Sequence, residues 1–352
     1  MNITRSLTSQ QYLVTHSVGP NQNGIRLDTF LKERYRRRSR EQLKRAIDAG
    51  SVSVKRAQGP HLQIGRTKPS SQLIPGDEVL VLTERKPEPA VNFNYQILFE
   101  DDVLFVINKP PNLPVHPAGR YFFHTLLVHL KTQGHQTPLQ TEKEFFLVHR
   151  IDKETSGVLV LAKTKEVCTH ITRQFAERRT EKRYLALVKG ICPESFCIDQ
   201  PIMRSTHSLI SLKMMTASEA QGGQPALTRF KRLEVYENRT ALPSLSANEG
   251  CFSLVECFPK TGRQHQIRVH LESAGHPIIG DKLYGLPEAE ALRFYERKHL
   301  SAEAQTQLGL PRHALHASWI RFMHPLSGKT MEFHAPLPQD LEEFIVLNKV
   351  LR

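Results

Sequence analysis

The sequence predicts an α+β chain in two parts, a small α/β module near the N-terminus and a large mixed domain behind it. Three observations carry this reading. Helix-period and strand-period apolar patterns alternate between Arg26 and Leu82. Closely spaced prolines in Lys86-Pro87-Glu88-Pro89 then favour extended chain, as a linker would. Beyond them, continuous apolar runs of strand length are interleaved with helix-period segments. A chain of 352 residues can hold a large core and an accessory module.

Residues 1–24 show no clear periodicity and are expected to be a tail. The small module is expected over residues 25–85. Leu27, Phe30 and Leu31 share one face of a short helix, and Ser39 with Gln42 has the S-x-x-Q spacing of a capping box that opens a second. Leu43, Ala46 and Ile47 give that helix an apolar stripe, and Gly50 stops it. Val52 and Val54 alternate like a strand. Pro75-Gly76-Asp77 is a turn before a second strand over 78–82. Between Val54 and Leu73 lies a longer loop with Pro60 and Pro69. The linker is expected over residues 86–93, and the large domain over 94–352. In that domain Val103 to Ile107, Val158 to Ala162 and Tyr184 to Val188 read as strands. Val167 to Glu177, Gln264 to Ser273 and a closing Leu341 to Leu351 read as helices.

Lys and Arg number 48 against 35 Asp and Glu, a formal charge of +13. Such a balance suits a polyanion, because phosphates attract Lys and Arg and release counterions on binding. The densest cluster is Arg36, Arg37, Arg38 and Arg40, with Lys44 one turn on. A charge run is more often a solvated face. Here it surrounds a helix N-terminus, where backbone N–H groups also favour phosphate. No run of about 18 apolar residues exists, so no membrane span is expected. The N-terminus lacks the apolar core of a secretion signal. Cys168, Cys192, Cys197, Cys251 and Cys257 are odd in number and form no C-x-x-C pair. Reduced thiols packed in the core of a cytoplasmic protein are expected.

Two groups of residues could carry chemistry. Asp152 before Lys153-Glu154-Thr155-Ser156-Gly157, taken alone, reads as a turn cap. Histidines raise the question of a metal. His265 and His270 are five apart and share no helix face. His313 and His316 are i, i+3 but lack a third ligand nearby, and His-Glu-x-x-His is absent. No metal site is expected.

The longer run His149-Arg150-Ile151-Asp152-Lys153-x-Thr155-Ser156-Gly157, continuing to Ala162-Lys163, resembles the active-site motif of the RluA/RluD-type RNA pseudouridine synthases, with Ile151 where that family usually has Leu. Further segments of the resemblance follow in order over about residues 95–340. They are Asn108-Lys109-Pro110 with Val115-His116-Pro117, Lys182-Arg183-Tyr184, Thr261-Gly262-Arg263-Gln264-His265-Gln266-Ile267-Arg268, Gly275-His276-Pro277 with Gly280-Asp281, and Leu315-His316-Ala317 with His324-Pro325. The N-terminal module resembles the small S4-like RNA-binding domain through Arg26-Leu27-Asp28, Ser39-Arg40, Ile47-x-x-Gly50-x-Val52-x-Val54 and Gly76-Asp77.

The resemblance implies a large, mostly antiparallel mixed sheet with flanking helices and Asp152 on the loop entering a central strand. It implies an isomerase that breaks the bond between ribose and the base nitrogen of uridine and rejoins the ribose to carbon-5. No redox change or net hydrolysis occurs, so no cofactor is expected. Asp152 is the implied catalytic carboxylate, acting as nucleophile or proton acceptor. Arg268 is its implied ion-pair partner, without which desolvation would protonate it. Tyr184 is implied to stack on the uracil and assist proton transfer. Arg150 is implied to displace the base from its stack, and Ile267 to line the pocket. The N-terminal basic cluster would add phosphate contacts. Large-subunit ribosomal RNA is the favoured partner, since an S4-like module is common in members that act on it. The run His116-Pro117-x-Gly119-Arg120-Tyr121 keeps a transfer-RNA anticodon arm as the alternative, and a catalytically silent ribosome-assembly factor is the other. A monomer acting without guide RNA is expected.

Overall fold

The structure, a computed structural model, describes residues 2–6, 11–36, 38–56, 67–84, 87–132, 144–237 and 250–350. The chain forms two compact units, Met1–Pro87 and Glu88–Arg352. Among the described residues no helix is long and apolar enough to cross a membrane.

The first unit contains β1 (Asn2–Ser6), β2 (Gln11–Ser17), α1 (Leu27–Arg34), α2 (Arg40–Asp48), β3 (Val52–Lys55) and β4 (Glu78–Glu84). Its antiparallel sheet runs β1-β2-β4-β3. The expected tail over residues 1–24 is therefore a correction. Gln11 to Ser17 pair along the length of β4, and Val14 and Val18 are buried in the core. Sequence periodicity missed β2 because His16 and Thr15 break the apolar run. The capping box forms as expected. Ser39 Oγ accepts from the Gln42 N–H at 3.1 Å, and the Gln42 side chain accepts from the Ser39 N–H at 2.8 Å. Leu27, Phe30, Leu31, Leu43 and Ile47 pack with Val52, Val54 and Val79. Pro60 and part of its loop lie outside the described residues.

The second unit begins earlier than expected. The Glu88 carboxylate accepts N–H groups from Phe122, Phe123 and His124 at 2.8–3.0 Å, so the latter part of the expected linker is tied into this unit. Its elements are β5 (Gln96–Glu100), β6 (Leu104–Lys109), α3 (Leu126–Thr132), β7 (Phe146–Leu147), β8 (Ser156–Ala162), α4 (Lys165–Ala176), β9 (Glu181–Lys189), β10 (Ser195–Asp199), β11 (Ile202–Arg204), β12 (Met214–Thr216), β13 (Leu227–Glu237), β14 (Cys251–Pro259), α5 (Gln266–Ser273), α6 (Glu288–Arg297), α7 (Ala302–Leu308), β15 (Leu315–Met323), β16 (Thr330–His334), α8 (Gln339–Val346) and β17 (Lys349–Val350).

The main sheet runs β10-β13-β14-β9-β15-β8-β6-β5. Only β8 with β15 pairs in parallel among the described strands of this sheet; the rest are antiparallel, as expected. Every residue of β8 is buried, which is why its apolar run is continuous rather than alternating. Clusters of buried side chains cover both its faces, Val158 and Val160 in one, Leu159 and Leu161 in the other. The closing helix stops at Val346, and Lys349–Val350 pairs with β13, correcting the helix expected to Leu351. Cys197 is exposed, so not every thiol is the core residue expected.

Strand register sets the site. Gly157 at the head of β8 lies opposite Ala317 of β15, and Ala317 lies opposite Tyr184 of β9. The approach at Gly157 is close: its φ is 110°, and a Cβ there would stand 2.2 Å from the Ala317 carbonyl oxygen. That position therefore requires glycine.

Candidate active site

Asp152 lies on the loop that enters β8, and each of the four residues after it is held by a side chain from elsewhere in the fold. Lys109, at the end of β6, is fully buried and donates to the carbonyls of Pro110, Leu113 and Lys153 at 2.8, 3.1 and 3.1 Å. Three acceptors match the three hydrogens of an ammonium. Burial pushes that amine well down, so the carbonyl cage is what favours its charge. Glu154 accepts from Lys282 Nζ at 2.8 and 2.9 Å. Thr155 Oγ1 meets His313 Nε2 at 2.8 Å, and Ser156 Oγ meets His316 Nδ1 at 3.0 Å. The two histidines weighed as metal ligands thus fasten this loop. Burial chiefly lowers both to about 4, so both are neutral at pH 7.

Arg268, in the first turn of α5, is buried and bridges two carboxylates. Its Nη1 donates to Asp152 Oδ2 at 2.8 Å. Nε and Nη2 donate to Asp281 Oδ2 and Oδ1 at 2.7 and 2.9 Å. Gln266 through Leu271, Arg268 among them, are all buried. Asp281 is itself fully buried and also accepts the N–H groups of Leu283 and Tyr284. Desolvation alone would raise the Asp152 carboxyl, but His265 and His313 when protonated, and the Arg268 guanidinium with its hydrogen bond, hold it well below the usual carboxylate range. Burial, with Arg268 next, lowers His265 to about 4. Both imidazoles are thus uncharged at neutral pH, and Arg268 is the cation that keeps Asp152 ionised there.

The Asp152 side chain remains 24% exposed, toward a cavity of about 380 Å³. That volume suits a small planar group. The cavity brings together Asp152, Tyr184, Arg268, Arg150 and Ile267, which sequence reading had grouped. Arg150 is exposed at its wall, and Ile267 is buried. Burial, then the Asp152 charge, pushes the Tyr184 hydroxyl up, so it stays protonated. Lys182 also lines the cavity. Its amine donates to the Thr261 carbonyl at 3.3 Å and has no carboxylate partner among the described residues. Burial chiefly, then Lys260, pulls it down to about 8.

Arg36, Arg38, Arg40 and Lys44 belong to the other unit, around the N-terminus of α2. Arg36, Arg40 and Lys44 are exposed, and Arg38 lies 5.3 Å from the Tyr35 ring centroid. Arg37 lies outside the described residues. Asp281, Lys109, Glu154, His313 and Lys282 were not singled out as functional from sequence. Asp281 and Lys109 stood inside matched segments, which was the available signal.

This fold, a mostly antiparallel mixed sheet with a carboxylate at the mouth of its central strand, defines the catalytic domain of a pseudouridine synthase. Residues 103–273 match the family model described as RNA pseudouridylate synthase. Ribosomal large subunit pseudouridine synthase D of Neisseria meningitidis is 36% identical over 320 residues, 90% of this chain and 77% of its own length. The protein of that name from Vibrio parahaemolyticus is 32% identical over 352 residues, covering 98% of this chain and 96% of its own. The solved structure of human RNA pseudouridylate synthase domain containing 1 is 27% identical, with a TM-score of 0.53 over 75% of this chain and 92% of its own. The chain belongs to the RluA/RluD-type family of RNA pseudouridine synthases and is an isomerase.

Proposed function

We propose that this protein, acting alone as a cytoplasmic monomer, converts uridines of large-subunit ribosomal RNA to pseudouridine with Asp152 as its catalytic carboxylate. The observation that carries this reading is the Asp152–Arg268–Asp281 chain at the cavity. An ionised carboxylate, partly exposed and fixed by a buried arginine, is what attack at ribose or proton acceptance requires. The uridine must leave its stack to reach it. Arg150, exposed at the rim, fills the place of the displaced base. Tyr184 stacks on the uracil, an interaction worth about 1–3 kcal/mol, and Ile267 closes the pocket. The first unit acts as an S4-like RNA-binding module, with Arg36, Arg37, Arg38, Arg40 and Lys44 contacting phosphates. The ribosomal target is supported by the names of the relatives that align over nearly the whole chain.

Pseudouridine mapping in cells with and without this gene tests the target. Loss of pseudouridine from large-subunit ribosomal RNA, with transfer RNA unchanged, is the expected result. Loss confined to transfer-RNA anticodon arms contradicts it.

A further inference from the structure

The cavity holds a polar group to which the reading above gives no task. His265 precedes α5 with φ 55° and ψ 17°, a left-handed conformation uncommon outside glycine, for which Asn, Asp and His are the more frequent exceptions. The ring lines the same cavity as Asp152. Its Nδ1 lies 2.8 Å from the Tyr284 hydroxyl oxygen. That oxygen already accepts the Met214 N–H at 2.9 Å. Among the described residues the phenol hydrogen has no other acceptor, so Tyr284 donates it to Nδ1. A neutral imidazole that accepts at Nδ1 carries its hydrogen on Nε2. Nε2 has no partner among the described residues. The bond to Tyr284, and the 5.7 Å edge-on contact of the two rings, hold the imidazole in place.

We infer that the Nε2–H of His265 donates a hydrogen bond to a carbonyl oxygen of the flipped uracil. When the bond between ribose carbon-1 and base nitrogen breaks, its electron pair stays with the base and spreads onto the carbonyl oxygens. A donor already in position there favours departure, and its proton stays on Nε2 throughout. Because the ring is neutral near pH 7, it adds no second cation to compete with Arg268 for Asp152. His265 would then be a further catalytic residue, fixed in its tautomer by Tyr284 acting as a positioning residue. The inference rests on the uridine chemistry proposed at Asp152.

The test compares His265→Gln, His265→Asn and wild type on one ribosomal RNA fragment, read as kcat and KM. The Gln amide can reach the Nε2 position; the Asn amide reaches only the Nδ1 position but suits the left-handed backbone better. His265→Asn is expected to lose about 100-fold in kcat, as for other removed oxyanion donors, and His265→Gln to stay within about tenfold of wild type. The same fragment is made with 2-thiouridine or 4-thiouridine at the target, because sulfur is a poor acceptor. One of the two should slow wild type and leave His265→Asn with no further loss. Asn matching or exceeding Gln points to a purely backbone role and overturns the inference. So does a thio effect equal in wild type and His265→Asn. A wild type that forms no pseudouridine on this RNA defeats the proposed function itself, and this inference with it.

Discussion

Asp281 grips Arg268 through Nε and Nη2 at 2.7 and 2.9 Å, which leaves Nη1 aimed at Asp152. The arginine is thus oriented from behind by a carboxylate with no exposure of its own. Substituting Asp281→Asn removes the charge and sets an amide hydrogen against the guanidinium. A misplacement of about 1 Å at a reacting group costs about 100-fold. We expect kcat to fall by about that factor while RNA affinity stays within about twofold. Single-turnover kinetics and a filter-binding isotherm check this together.

With Asp152 as the proposed catalytic carboxylate, Arg268 also sets the acid limit of the reaction. The Asp152 carboxyl is depressed in the native protein, so its active, ionised form is present above that low value and lost only as pH falls through it. Wild-type kcat/KM should show no loss from Asp152 between about pH 7 and 5, a range above the ordinary carboxylate value. In Arg268→Met, desolvation acts without the guanidinium charge and hydrogen bond against it, and the carboxyl rises. The residual activity of the variant should then decline with acidification across that same range. Parallel pH–rate profiles for the two proteins decide it.

Lys109 is the buried post of the loop that carries Asp152. In Lys109→Met the carbonyls of Pro110 and Leu113 lose their donor, while that of Lys153 keeps only the Leu113 N–H. Each buried unsatisfied group costs about 1–3 kcal/mol. A loss of about 3 kcal/mol or more is expected, read as a lower midpoint in urea unfolding with activity falling in step.

Lys182 stands in the cavity without a carboxylate partner among the described residues. A phosphate of the bound RNA would complete it. Lys182→Met should weaken RNA binding and reduce the slope of log affinity against log salt by about 0.7, the contribution of one single-strand phosphate contact. An unchanged slope would show that Lys182 meets no phosphate.

Much of this arrangement was legible in the sequence, for physical reasons that differ by element. The all-apolar run of β8 announces a strand buried on both faces, and the Ser39 box announces a helix start. The grouping of Asp152, Tyr184 and Arg268 was readable only through resemblance to a family, because nothing in local periodicity brings positions so far apart into one cavity. The β2 strand was missed because Thr15 and His16 break its apolar run, so that only its pairing with β4 reveals it. Asp281, Lys109 and His313 were passed over because their tasks depend on contacts made across the fold. Of His265, the sequence supplied the residue, but its tautomer follows only from Tyr284 and Met214 meeting it in space.

The central claim is that the Asp152 carboxylate performs the isomerisation. Tritium release from RNA labelled at carbon-5 of uridine, with wild type and Asp152→Ala compared at equal RNA occupancy, tests it most directly. Wild type should release tritium in step with pseudouridine formed, and Asp152→Ala should bind the RNA and release none. Sustained release by Asp152→Ala would contradict the account.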